Sequence, residues 1–98
     1  MNLDKDVLDK IVEISKKYDN INKVVLFGSR ARGDNSLKSD IDIAVYSNDN
    51  IFEFIEEIEN NSPTLLEFDF SEMRNINDDL FIRQVEQDGI VLYEKHWF

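Results

Sequence analysis

The stretch DIDIAVY, residues 40–46, is the feature that most restricts how this chain can fold. Its polar and apolar residues alternate, and alternation with a period of two is typical of a β-strand with two different faces. Every second residue from Ile41 to Val45 would point toward a core, while Asp40 and Asp42 would project from the opposite face. The pattern therefore predicts a strand that supports a core on one side and carries charge on the other.

The apolar patterns on either side of this strand predict an α/β (α+β) fold. An amphipathic helix is indicated from Leu3 to Tyr18, and the run KVVLFG at 23–28 is typical of a buried strand. The remaining predicted elements are a helix near 51–59, a strand in TLLEFDF at 64–70, a helix opened by Asp78 and Asp79 and stopped at Gly89, and a strand in IVLYE at 90–94. The sequence thus predicts a mixed sheet of about four strands with helices packed on one face and a polar, carboxylate-bearing face elsewhere.

Length and composition limit the class of protein. The chain has 98 residues, which predicts a single domain over 1–98, and 42% of them are hydrophobic, enough for one core. No run approaches the ~20 apolar residues of a membrane span, and the charged amino terminus does not resemble a signal peptide, so no membrane association is expected. Because cysteine is absent, disulfides and thiolate metal sites are excluded, and the reducing cytoplasm is the expected compartment.

Charge narrows the choice of partners. The chain carries 21 acidic and 11 basic residues, a net charge of −10. Such a surface repels phosphate backbones, so no direct nucleic-acid binding is expected. It favours a basic protein partner or a ligand bridged by cations, although it could also serve only to keep the protein soluble.

The aspartates suggest a metal site. Asp40 and Asp42 would project from one face with their Cα atoms about 6.5–7 Å apart, and they would repel each other unless a cation lay between them. Mg²⁺ or Mn²⁺ prefers such oxygen ligands and commonly binds carboxylates together with substrate phosphates. Asp69, on the non-core face of its predicted strand, is the best candidate for a third carboxylate of a two-metal platform. Glu67 shares that predicted face, so a register error would exchange the two.

The Gly28-Ser29 turn upstream suggests a site for phosphates. A glycine at a strand end permits close approach of a phosphate, and a helical turn begun by Ser29 would present N–H groups and a hydroxyl. Arg30, Arg32 and Lys38 add local positive charge. Taken singly, Gly28 could merely end a strand, Ser29 merely cap a helix, and the aspartates merely face solvent. Together, they favour a nucleoside-triphosphate site for phosphoryl or nucleotidyl transfer.

These residues also carry a family resemblance. Gly28-Ser29, ten intervening residues and Asp40-Ile41-Asp42 resemble the signature of the DNA polymerase β-like nucleotidyltransferase superfamily. The longer string FGSRARGDNSLKSDIDIAV on so short a chain resembles the minimal nucleotidyltransferase (MNT) proteins, especially the antitoxins of HEPN/MNT toxin–antitoxin pairs. The resemblance covers nearly the whole chain.

The resemblance implies a function and a set of roles. It implies an Mg²⁺-dependent enzyme that transfers AMP, or another NMP, from ATP to a tyrosine hydroxyl of a HEPN-domain toxin and so silences it. The implied roles are metal binding and catalysis for Asp40, Asp42 and Asp69, triphosphate binding for Gly28 and Ser29, and nucleotide contact for Arg30 and Arg32. A chain of this size has little room for a small-molecule pocket, which agrees with a macromolecular acceptor.

Two other functions remain open at this point. The chain could be a non-catalytic acidic antitoxin that covers its partner, or a nucleotide-binding regulator that transfers nothing. At the carboxyl end, His96 is interpreted as a solvated tail residue, and Trp97 and Phe98 as core or tail residues rather than partner contacts.

Overall fold

A computed structural model of the chain describes residues 1–96. The prediction for Trp97 and Phe98 lies outside these residues. The elements, in chain order, are α1 (Lys5–Ser15), β1 (Ile21–Phe27), α2 (Gly28–Arg32), β2 (Ile41–Ser47), α3 (Phe52–Asn61), β3 (Phe68–Glu72), a 3₁₀ turn (Met73–Asn75), α4 (Asp79–Asp88) and β4 (Ile90–Glu94).

The strands form one mixed sheet with the order β3-β2-β1-β4. β1 pairs antiparallel with both β2 and β4, whereas β2 and β3 pair parallel to each other. Parallel neighbours need a crossover, and α3 supplies it between β2 and β3. The predicted α/β class and the predicted four-stranded mixed sheet are therefore confirmed.

The main core lies on the face of the sheet covered by α1 and α3. Ile41, Ile43 and Val45 of β2 are each at most 1% exposed, as the alternation of DIDIAVY predicts. The helices contribute side chains spaced three or four residues apart along one stripe: Val7, Ile11 and Ile14 from α1, and Phe54 and Ile58 from α3. Burial of each such side chain stabilises the fold by about 1.5–3 kcal/mol.

The opposite face of the sheet carries a second, smaller apolar cluster, and this corrects one prediction. Val25 of β1 and Ala44 of β2 pack there with Met73 and with Val85 of α4. The expectation that the helices pack on one face holds for α1 and α3 but is wrong for α4. The reason is that β1 is apolar on both faces, so each face needs a cover.

The β3 boundary also differs from its prediction. The strand begins at Phe68 rather than near residue 64, because its partner β2 begins only at Ile41, which lies opposite Phe68. Just before this pair, the Ile41 amide donates to the Glu67 carbonyl at 2.9 Å. Among residues 1–96, no helix is both long and apolar enough to pass through a membrane.

Candidate active site

The turn from β1 into α2 brings the backbone against one of the predicted aspartates. Gly28 adopts φ +73°, a left-handed backbone conformation that residues with a Cβ atom rarely adopt. A methyl group built at Gly28 would lie 3.1 Å from Cγ of Asp42 and would collide with its Oδ2. Glycine at this position therefore serves two purposes: it permits the turn and it leaves room for the Asp42 carboxylate.

The parallel pairing of β2 with β3 places two aspartates side by side. Asp42 lies directly opposite Asp69 in the register, on the face of the sheet away from the main core. Asp40 precedes β2 by one residue. Asp40 and Asp69 are exposed and Asp42 is partly buried. The structure thus brings the three predicted carboxylates to one end of the sheet, and the register selects Asp69 over Glu67 as the neighbour of Asp42.

The electrostatics of Asp42 reflect this crowding. Burial raises the pKa of the Asp42 carboxyl, the charges of Asp69 and Asp40 raise it further, and the Arg32 guanidinium opposes them. Loss of hydration and repulsion between like charges both disfavour an ionised carboxylate. The site therefore holds negative charge that a cation would neutralise.

Arg32 is the basic residue that the structure places beside this charge. Its Nε donates to Asp34 Oδ2 at 3.1 Å and its Nη1 donates to Asp88 Oδ2 at 3.3 Å, while 40% of the side chain remains exposed. The first contact is local and the second joins α2 to the end of α4. Sequence reasoning missed Asp88, because nothing in the sequence links two residues that are 56 positions apart.

Arg30 is oriented differently and does not join the aspartates. Its side chain is 7% exposed and donates to the backbone carbonyls of Ser39, Asn2 and Leu37. The structure therefore does not place Arg30 where the predicted nucleotide contact requires it. A five-residue helix must turn one of two arginines spaced by two positions inward when the other faces outward.

Ser29 lies in the first turn of α2, next to Gly28. Its carbonyl accepts the amides of Gly33 and Asp34, at 2.8 and 3.1 Å, which closes the short helix. Gly33 adopts φ +89°, the left-handed conformation that commonly ends a helix. Within residues 1–96 no hydrogen bond occupies the Ser29 hydroxyl, which leaves it available to a ligand.

The donor set suits a hard divalent cation. Oxygen ligands such as carboxylates are preferred by Mg²⁺ and Mn²⁺. A cation here would also stabilise the ionised Asp42 carboxylate, because its positive charge would offset the negative charges of Asp69 and Asp40. In the part of the chain that the structure describes, no group of three aspartate, glutamate or histidine side chains is placed to hold a metal ion by itself. A cation at the aspartates would therefore need further oxygen atoms from a ligand such as a nucleotide phosphate.

Comparison with known proteins agrees with this arrangement. A family model described as polymerase beta, nucleotidyltransferase matches residues 9–97. A protein of Methanocaldococcus jannaschii that is named a protein adenylyltransferase is 33% identical over 91 residues, which cover 88% of this chain and 91% of that relative.

Solved structures share the fold. A chain from a toxin–antitoxin complex with AMP-PNP matches with a TM-score of 0.72 and 26% identity, over 90% of this chain and 73% of that chain. A chain from the complex of a tri-AMPylated Shewanella oneidensis HEPN toxin with an MNT antitoxin matches with a TM-score of 0.64 and 23% identity, over 91% and 71%. The second likeness concerns the fold alone. The resemblance stated from the sequence is confirmed.

Proposed function

The chain belongs to the polymerase beta nucleotidyltransferase family, and from this premise we propose that it transfers AMP from ATP to a hydroxyl group of a partner protein. The observation that carries the proposal is the placement of Asp42 opposite Asp69, with Asp40 one residue before the strand and Gly28 against the Asp42 carboxylate. The 98 residues would act as one nucleotidyltransferase domain, in a reducing cytoplasm where ATP is available.

Each residue has a role in this proposal. Asp40, Asp42 and Asp69 would hold Mg²⁺, or Mn²⁺ in its place. When bound, the metal would offset the negative charge of the phosphates and align them with the acceptor. The Ser29 hydroxyl and the backbone at Gly28 would bind the triphosphate, and Arg32 would add a positive charge beside it.

The chemistry is a substitution at the α-phosphorus. The acceptor oxygen forms a bond to this phosphorus, and the bond from the same phosphorus to the oxygen that bridges to the β-phosphate breaks, so pyrophosphate leaves. The proton of the acceptor hydroxyl passes to the Asp69 carboxylate and then to solvent. Asp69 suits this role because it is exposed at the surface where an acceptor must approach.

The proposed acceptor is a tyrosine of a HEPN-type toxin, whose modification would silence it. A relative named a protein adenylyltransferase and a 26%-identical structure from a toxin–antitoxin complex with an ATP analogue support a protein acceptor. The open placement of Asp40 and Asp69 supports a macromolecule over a small molecule, because a partner surface would complete the site.

Intact mass spectrometry tests the proposal. The protein is incubated with ATP, Mg²⁺ and the product of the gene adjacent to its own, and the intact mass of that product is recorded. We expect gains of whole AMP units that disappear with the Asp40→Ala/Asp42→Ala variant. Glu59→Gln, which removes one exposed carboxylate on α3, is the matched control and should transfer normally.

A second function is favoured by the acidity of the chain, with 21 acidic against 11 basic residues. A non-catalytic antitoxin would neutralise a basic partner by covering it. Its binding would weaken as salt is added and would not respond to ATP, Mg²⁺ or the loss of Asp42. A stable complex of this kind without any mass gain would reject nucleotide transfer.

A further inference from the structure

The buried guanidinium of Arg30 is a feature that the proposed chemistry does not use. It is 7% exposed and, within residues 1–96, forms no ion pair. Its three hydrogen bonds all reach backbone carbonyls, from Nε to Ser39 at 3.0 Å, from Nη1 to Asn2 at 3.2 Å and from Nη2 to Leu37 at 3.3 Å. Burying a cation without a carboxylate partner costs free energy. We therefore ask which part of the backbone these three hydrogen bonds hold in place.

The carbonyls belong to a segment that the sheet does not hold. Leu37 and Ser39 lie in the loop 33–40, which connects α2 to β2 and ends at Asp40. Asp42 is fixed by the β2 ladder, whereas Asp40 lies outside it. The loop also has local bonds, including the Ser36 amide, which donates to the Ser39 hydroxyl at 2.9 Å.

The amino-terminal segment joins the same network. The Asn2 amide donates to the Arg30 carbonyl at 2.8 Å, while the Asn2 carbonyl accepts from the Arg30 guanidinium. The Asn2 side chain also donates to Asn35 Oδ1 in the loop at 3.1 Å. Arg30 therefore connects two segments, the amino terminus and the loop, to α2.

We propose that Arg30 is a positioning residue, which fixes the backbone of the loop 33–40 and thereby sets where Asp40 meets the metal and nucleotide. This inference rests on the proposed function for the role of Asp40. Arginine suits the task because its planar fork presents five donors, so that several carbonyls can be bonded at once. Lysine at the same position would reach fewer of them.

The test compares Arg30→Met, which removes every donor, with Arg30→Lys, which keeps the charge. Arg83→Met is the matched control, because Arg83 is an exposed arginine on α4. Two quantities are measured: amide hydrogen exchange across the chain without ligand, and the affinity for Mn²⁺ with a non-hydrolysable ATP analogue, followed by electron paramagnetic resonance.

In Arg30→Met we expect amides of residues 36–40 to exchange at least about tenfold faster while β1 and β2 amides keep their rates. Mn²⁺ affinity should fall about tenfold, as it does when a residue that orients a ligand is lost. Arg30→Lys should fall between wild type and Arg30→Met in both measurements. Deletion of Met1 and Asn2 removes one of the three carbonyls and should produce a smaller increase in loop exchange.

Two results would overturn the inference. Exchange that accelerates equally in the strands and the loop would make Arg30 an ordinary part of the folded interior, and unchanged loop exchange would show that the loop does not need it. If the wild type binds no Mn²⁺, the proposed function fails, and the exchange rates then decide separately whether Arg30 holds the loop.

Discussion

The two faces of β2 show how one strand can separate stability from chemistry. Ile41, Ile43 and Val45 point into the main core and are at most 1% exposed. On the other face, Asp42 lies partly buried opposite Asp69, in surroundings that disfavour its charge. Neighbouring residues of the same strand thus stabilise or destabilise the fold, according to the face on which they lie. Substitutions on the two faces should therefore affect different measured quantities.

The largest expected effect is a loss of activity on substitution of Asp42, on the face of β2 away from the main core. Asp42→Asn should lower AMP transfer by about 10³-fold, since under the proposed function it removes a metal ligand and with it several kcal/mol of transition-state stabilisation. Stability should stay the same or rise, because the substitution removes a charge that its surroundings oppose. Single-turnover transfer and urea denaturation measure the two quantities, with Glu59→Gln as control. A large loss of stability in Asp42→Asn would contradict the separation of the two faces.

A substitution on the face of β2 that packs into the main core should instead lower the stability of the protein. Ile43→Ala should lower the free energy of unfolding by about 2–5 kcal/mol, because it leaves a cavity among buried side chains. Leu65→Ala, at a fully exposed leucine, should change stability by less than about 0.5 kcal/mol. Urea denaturation compares the two variants. If the folded Ile43→Ala protein lost as much transfer activity as Asp42→Asn, the faces would not be separable.

Gly28 and Gly33, the two glycines with a positive φ, provide a further test. Gly28→Ala and Gly33→Ala both force alanine into a positive φ and should each cost about 1 kcal/mol of stability. Only the Gly28 methyl would meet Asp42, since nothing lies within 4 Å of a methyl at Gly33. We therefore expect Mn²⁺ affinity to fall at least about tenfold in Gly28→Ala alone. Equal affinities in the two variants would show that the approach of Gly28 to Asp42 does not matter.

The smallest expected effect is the change in stability with pH. Carboxylates on the two sides of the sheet should contribute to this change with opposite signs. The pKa of Asp42 is raised, so its contribution to stability is present below the ordinary carboxylate range and is lost as pH rises through its folded value. On α3, Lys17 and the Tyr18 hydroxyl lower the pKa of Glu57. Its contribution is therefore present above the ordinary range and is lost as pH falls through its folded value.

Metal-free urea denaturation of wild type, Asp42→Asn and Glu57→Gln tests these signs. Asp42→Asn should gain stability relative to wild type as pH rises from about 4 to about 7. The advantage of wild type over Glu57→Gln should shrink below about pH 4. Parallel pH profiles for all three proteins would reject both assignments.

Much of the site could be predicted from local sequence. The spacing from Gly28-Ser29 to Asp40 and Asp42 indicates the family, and the alternation of residues 40–46 indicates which side chains share a face. The choice of Asp69 over Glu67 depends on the register between β2 and β3, two strands separated by α3, so the local sequence does not specify it. The interior position of Arg30 had no local signal, since its partners at residues 2, 37 and 39 lie outside its own helix.

Local sequence predicts most of the helices and strands, the two different faces of β2 and the motif that indicates the family, because side-chain periodicity is a property of the local backbone. Long-range packing places Asp42 opposite Asp69, turns Arg30 inward while Arg32 contacts Asp88, and lets α4 cover the second face of the sheet. These contacts join residues far apart in the chain. They are set by strand order, register and the burial of both faces of β1, which no short stretch of sequence specifies.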